Sequence, residues 1–198
     1  MDRYQRIAHR EIYRNPWLRV EVHDVIHPTG AEGDHVLICT PRASAVVIAD
    51  EDDLIFTRQP RFAADAETVE VVKGGADGDE SALECAQRET REELGIVAER
   101  WDSLGALYEI PSIVDNPVEL FVASQIYHVD TEAEHVEQIE LVRMPRDVAF
   151  AAAASGRLND SITVAALLRY GFFSGALKVV PEAGSTPPTG TPVRSAPR

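Results

Sequence analysis

A chain of 198 residues with 44% hydrophobic residues can bury a real core, as one domain or as a domain with a small companion. Its 33 acidic residues outnumber 19 Lys and Arg, giving a net charge of −14, a field that repels duplex DNA and long RNA but admits a small metal-chelated phosphate ester. Only two cysteines, Cys39 and Cys85, lie far apart without metal-ligand spacing, and the charged start MDRYQRIAHREIYR has no signal-peptide core, so a cytoplasmic protein with reduced thiols and no membrane span is expected.

In chain order, Glu11–Arg14, the alternation of Leu18, Val20 and Val22 with Arg19, Glu21 and His23, and His35–Thr40 predict three antiparallel strands. Pro28-Thr29-Gly30 and Gly33-Asp34 supply the turn between the last two. These strands form a small sheet over residues 1–42, ahead of a main domain at 43–180. Trp17, following Asn15-Pro16, is expected in a core or an interface. Ala45–Ala49 and Leu54–Arg58 read as a buried hairpin about the turn Asp50–Asp53, and Glu67–Val72 as one further strand.

That strand runs into the most informative stretch of the chain. Gly74, Gly75 and Gly78 with Asp77 and Asp79 are turn residues, and Ser81 with Glu84 three residues later is a capping box that starts a helix. The helix ends at Gly95, after an apolar series Leu83, Ala86, Thr90 and Leu94. Glu89, Glu92 and Glu93 at i, i+3 and i+4 project from one arc of it. Packed carboxylate oxygens suit a hard cation, Mg²⁺ or Mn²⁺; the plain alternative is an acidic face in water. Arg88, with Glu84 and Glu92 one turn to either side, is placed to hold a carboxylate rather than to touch substrate.

Beyond the helix, Trp101–Tyr108 and Glu119–Tyr127 read as strands separated by the loop Pro111–Pro117. An acidic loop, His128–Glu137, leads to a strand at Ile139–Met144 and an alanine-rich helix at Arg146–Ser155. A break at Gly156–Asp160 precedes a last helix, Ser161–Tyr170, capped by Asp160 or Ser161. Residues 181–198 are Pro, Gly, Ser and Thr with little to bury, and a disordered tail is expected. Strands on both sides of a central helix, with a closing helix, make a layered α/β or α+β domain.

Gly74, five residues, Glu80, seven residues, Arg88-Glu89, Thr90, Arg91, Glu92-Glu93, Leu94, Gly95 and Ile96 resembles the Nudix box of the Nudix hydrolases. Thr90 stands where an aliphatic residue is usual. The resemblance implies an α/β fold, a Nudix-type α/β/α sandwich, over roughly residues 43–175, preceded by the small N-terminal antiparallel sheet. Outside the box, Arg58-Gln59-Pro60-Arg61, Glu70-Val71-Val72-Lys73-Gly74, Pro111, Glu137-Gln138-Ile139-Glu140 and Gly156–Ser161 with Thr163 resemble the ADP-ribose pyrophosphatase branch. Ser112 and Ile113 depart from the Pro-Gly pattern of that branch, so base and sugar stay open among ADP-ribose, GDP-mannose and other nucleoside diphosphate sugars.

The resemblance also implies roles. Glu89, Glu92 and Glu93, with the Lys73 carbonyl, would hold Mg²⁺ or Mn²⁺ for diphosphate hydrolysis, Glu92 counting with the catalytic group as well. Glu137, or its rival Glu134, would orient or deprotonate water; Arg61, Trp17, His35, Glu70 and Pro111 would line the substrate. The branch forms homodimers through the N-terminal sheet, which gives residues 1–42 a dimerising role. A non-catalytic ligand-sensing module is the alternative, disfavoured because every box Glu is present and no basic appendage is seen. RNA-cap removal, and nucleic acid partners generally, are disfavoured by the charge.

Overall fold

The computed structural model of the chain describes residues 3–130 and 138–178. Three antiparallel strands come first, β1 (Gln5–Arg14), β2 (Arg19–Ile26) and β3 (Glu32–Cys39), joined in the order β1-β2-β3. All ten residues of β1 are exposed, whereas β2 in the middle buries Glu21, Val22, His23 and Val25.

The larger sheet contains β4 (Ala43–Asp50), β5 (Asp53–Arg61), β6 (Ala66–Glu70), β7 (Val72–Gly75), β8 (Ile96–Leu107), β9 (Val118–His128) and β10 (Glu140–Pro145). Its order is β10-β5-β4-β9-β8, with β6 on β5 and β7 on β4. Only the β4–β9 pair is parallel among the described strands. Residues that alternate along β4 feed two cores. Ala45 and Val47 join Leu54, Phe56, Leu120 and Val122 on one face, while Val46 and Ile48 join Ile55, Phe121 and Ala123 on the other.

Helices cover both faces, so the chain is an α/β/α sandwich. α1 (Ala82–Leu94) packs Ala82, Ala86 and Leu94 on the second core. α2 (Arg146–Ala154) and α3 (Ser161–Phe173) pack Ala149, Ala152, Ile162, Ala166, Leu167 and Tyr170 on the first. Phe56, fully buried, is the largest such side chain, and its loss to alanine costs about 3–5 kcal/mol.

Several expectations are corrected: β1 begins at Gln5 and not at Glu11, and Gly33-Asp34 lies within β3, paired with Val25 and Asp24, rather than in the turn before it. The stretch read as one strand, Glu67–Val72, is two: β6 pairs with β5 and β7 pairs with β4, and Val71 lies at the switch. The buried stripe of α1 is Ala82, Cys85, Ala86, Thr90 and Leu94; Leu83, taken as part of it, is exposed, because a stripe through 86, 90 and 94 continues one turn earlier at 82. β8 begins at Ile96, directly after the helix stop, and not at Trp101. Residues 181–198, expected to be a disordered tail, lie outside the described residues.

Candidate active site

The loop and the start of α1 are fixed by local chemistry. Ser81 accepts from Glu84 N at 3.2 Å and Glu84 accepts from Ser81 N at 2.8 Å, so the capping box is closed on both sides. At the far end Gly95 takes φ 61, a left-handed value that suits glycine. Thr90, fully buried, gives its hydroxyl to the Ala86 carbonyl at 2.7 Å, which satisfies the one polar atom that an aliphatic residue would not bring.

Arg88 sits at the centre of the acidic cluster and spends its donors on the protein. Nε and Nη2 both reach Glu80 at 3.1 Å, Nη2 also reaches the Gly75 carbonyl at 2.8 Å, and Nη1 donates to Glu89 and Glu92 at 2.9 Å each. The Glu80 carboxylate, first, and those of Glu92 and Glu89 raise the Arg88 pKa despite burial. Arg88 therefore acts as a clamp, as the spacing to Glu92 predicts; the expected partner Glu84 is instead committed to the cap. Glu80 escapes sequence reasoning as a partner because it precedes the helix and stands eight residues away, at no helical interval.

Glu89, Glu92 and Glu93 share this end of α1 and are all partly buried. A Cβ at Gly74 would collide with the Glu89 carboxylate, so β7 brings the bare backbone of Gly74 against that group. Carboxylate oxygens on α1 and backbone oxygens on the adjoining β7 are hard donors of the kind that suits a divalent cation, and Gly74 of β7 lies against the Glu89 carboxylate. Among the described residues no three His, Cys, Asp or Glu side chains are gathered round one point; Glu89 and Glu92 are drawn onto Arg88.

Next to this cluster lies a second one. Glu70, 2% exposed, accepts from Arg61 Nε and Nη2 at 3.1 and 2.6 Å, from Thr68 at 2.6 Å, and pairs with Lys73 Nζ at 3.1 Å. Burial pushes the Glu70 carboxyl upward, and the Arg61 and Thr68 hydrogen bonds with the Lys73 ammonium outweigh it, leaving the group at about 2. Arg61 is raised first by Glu70, and Glu93 and Asp160 add to the field at its guanidinium, so both clusters act on one region. The Lys73 ammonium does not face solvent freely: it meets Asp160 at 2.5 Å. Asp160 and Thr163 are the members that sequence reasoning did not place here; 87 residues separate Lys73 from Asp160, and no local pattern signals such a pair.

The remaining candidates are more dispersed. Trp17 is 74% exposed in the β1–β2 connection, where Asn15 Oδ1 accepts from Trp17 N at 2.9 Å and Leu18 N at 2.8 Å. Trp17 and Asp115 line one open cavity of about 290 Å³, and the turn after Pro111 is bonded to the N-terminal sheet through Ile38 N to Ile113 O at 2.7 Å. His35 lies elsewhere, edge-on to Tyr4 at 4.9 Å and tilted to His27 at 5.4 Å. In register it is opposite His23, roughly 13 Å along the strand from Cys39 and the Trp17 end. One chain does not bring Trp17 and His35 together. Glu134 and Glu137 fall outside the described residues. The anchors of their loop are described: Val129 N donates to Gly95 O at 2.8 Å at the end of α1, and Glu140 pairs with Arg58 at 3.1 Å.

Residues 40–154, more than half of the chain, match the NUDIX domain family, and residues 4–37 match the nucleoside diphosphate sugar hydrolase N-terminal domain. The chain is 26% identical to the ADP-ribose pyrophosphatase of Bacillus subtilis (strain 168) over 164 residues, covering 81% of this chain and 89% of the relative. It is 35% identical to a GDP-mannose pyrophosphatase of Yersinia enterocolitica over 119 residues, 58% of this chain and 60% of the relative. The crystal structure of an ADP compounds hydrolase superposes with a TM-score of 0.79 at 23% identity, covering 89% of this chain and 96% of that one, a likeness of fold.

Proposed function

Because the chain belongs to the Nudix hydrolase family, we propose that it hydrolyses the diphosphate of ADP-ribose, or of a related nucleoside diphosphate sugar, in a reaction that needs Mg²⁺ or Mn²⁺. The observation that carries this reading is the arrangement of Glu89, Glu92 and Glu93 on α1, with Glu89 and Glu92 clamped by Arg88 and Glu89 faced by the bare backbone at Gly74. The Bacillus and Yersinia relatives, named for ADP-ribose and GDP-mannose pyrophosphatase activity, support the substrate class.

Glu89, Glu93 and Glu92 with the Lys73 carbonyl would hold the cation, which when bound would offset the diphosphate charge and acidify water. Arg61, kept in place by Glu70, faces phosphate or ribose. Glu137, with Glu134 as rival, accepts the proton of the attacking water; of the described residues flanking them in sequence, Val129 N donates to Gly95 O just past α1 and Glu140 pairs with Arg58 on β5. Water attacks one phosphorus, the bridging P–O bond breaks, and ADP-ribose leaves as AMP and ribose 5-phosphate.

The working form is a homodimer in which residues 1–42 of one copy complete the site of the other. A ten-residue strand exposed along its whole length, with Tyr4, Ile7, Ile12 and Tyr13 each more than half exposed, supports a second copy as its cover. The test of function is a panel of nucleoside diphosphate derivatives incubated with purified protein and Mg²⁺, with products identified. AMP and ribose 5-phosphate from ADP-ribose are expected; release of pyrophosphate from nucleoside triphosphates would move the protein to another branch, and no turnover at all would favour a ligand-sensing module.

A further inference from the structure

We infer that Asp160 is a positioning residue for the cation site, acting through Lys73 from the first turn of α3. This rests on the reading of the α1 carboxylates as cation ligands. The segment Glu70–Gly75 needs outside support because it changes partner midway: β6 leaves β5 at Glu70 and β7 joins β4 at Val72. Val71 N, between the two ladders, donates to Thr163 Oγ1 at 3.0 Å. Two residues on, Lys73 Nζ donates to Asp160 Oδ1 at 2.5 Å. Asp160 also caps α3, its Oδ2 accepting from Thr163 N at 2.8 Å and Thr163 Oγ1 at 2.7 Å.

One turn of helix thus grips the segment at both Val71 and Lys73. The next residue, Gly74, is the one that lies against the Glu89 carboxylate. A displacement of β7 passes straight to the oxygens that would surround a cation, where about half an ångström is enough to matter. Charge points the same way. Arg61, Glu70, Lys73 and Asp160 alternate in sign and neutralise one another, with side chains 37%, 3%, 21% and 12% exposed. Without Asp160 the ammonium has, among the described residues, only the Glu70 carboxylate, which it already shares with Arg61.

Mn²⁺ binding to the full-length protein without substrate, followed by electron paramagnetic resonance, tests the inference. Asp160→Asn keeps a good capping residue, its one amide oxygen left for Thr163, and turns a donor toward Lys73, so it removes both the charge and the acceptor that Lys73 meets. Its Mn²⁺ Kd should rise about tenfold or more, the usual effect of disturbing a partner of a ligand. Lys73→Gln breaks the same contact from the other side and carries the test if Asp160→Asn does not fold. Positioning predicts weaker Mn²⁺ binding in both variants, and a double variant no weaker than the worse single one. A purely through-space effect predicts tighter binding in Lys73→Gln, and that result overturns the inference. So does a Kd within twofold of wild type in Asp160→Asn with a lowered Tm, the mark of a structural role alone. Wild-type protein that binds no Mn²⁺, or binds it equally in Glu93→Gln, overturns the cation-site reading together with the inference; Glu93-dependent binding that is unchanged in Asp160→Asn overturns the inference alone.

Discussion

Arg88 and Glu80 are eight residues apart, one inside α1 and one in the loop before it, yet two guanidinium nitrogens reach the carboxylate at 3.1 Å each. Asp77 N donates to the same carboxylate at 3.0 Å, and Arg88 also bonds the Gly75 carbonyl, so the pair ties the glycine loop to the helix that bears the acidic cluster. Arg88→Lys substitutes a point charge for a planar fork. With the Arg88 side chain 24% exposed, the expected loss is about 1–3 kcal/mol, measured by urea unfolding at pH 7, together with at least a tenfold fall in kcat. A change below about 0.5 kcal/mol would show that the loop and helix are held by something else.

Glu70 makes a pH-dependent contribution whose sign is set by its lowered pKa. The group falls from an ordinary 4.5 to about 2 in the folded protein, so the unfolded chain binds the proton more readily. The stability it adds is complete above about pH 4.5 and disappears as the pH drops toward 2. Glu70→Gln should cost on the order of 2–3 kcal/mol at pH 7, somewhat less than the shift alone gives because water reaches Arg61, and the cost should shrink on acidification through that window. A stability difference that stays constant from pH 7 to pH 2.5 contradicts this account.

What was legible in the sequence was what chemistry within one turn decides. Ser81 with Glu84 and then Gly95 mark the ends of α1 by contacts three or four residues long, and the observed helix starts and stops there. The sandwich and the N-terminal sheet followed from strand alternation and the box resemblance. Contacts made by folding were not legible. Val71 belongs to neither β6 nor β7 because two different strands compete for its neighbours, a fact of sheet order with no trace in an apolar run. Likewise Lys73 meets Asp160, and Arg61 meets Glu70, only once α3 and β6 have docked. Leu83 misled because leucine on a helix reads as core, while the smaller Ala82 and Cys85 fill the space beneath α1.

The proposed dimer makes a direct prediction at Trp17, which is 74% exposed. Light scattering should give twice the monomer mass, and Trp17→Ala should raise KM, with a stacking contribution of about 0.5–1.5 kcal/mol beyond the area lost. A monomer, or an unchanged KM, argues against a site shared between copies.

The two loop carboxylates separate by kinetics. In sequence Glu137 stands three residues before β10 and Glu134 six. Glu137→Gln should lower kcat about a hundredfold or more with KM little changed, and Glu134→Gln should do less. The reverse order of damage would make Glu134 the base and leave the α1 cluster untouched.

The central claim is that the α1 carboxylates work by holding a divalent cation against a diphosphate. Its most direct test is kcat for Mg²⁺-supported ADP-ribose hydrolysis by wild type and Glu93→Gln, with circular dichroism confirming the fold of the variant. Wild type should give AMP and ribose 5-phosphate, with turnover abolished by EDTA, and Glu93→Gln should lose several orders of magnitude in kcat. A folded Glu93→Gln protein that keeps substantial turnover, or wild-type turnover that survives EDTA, would contradict it.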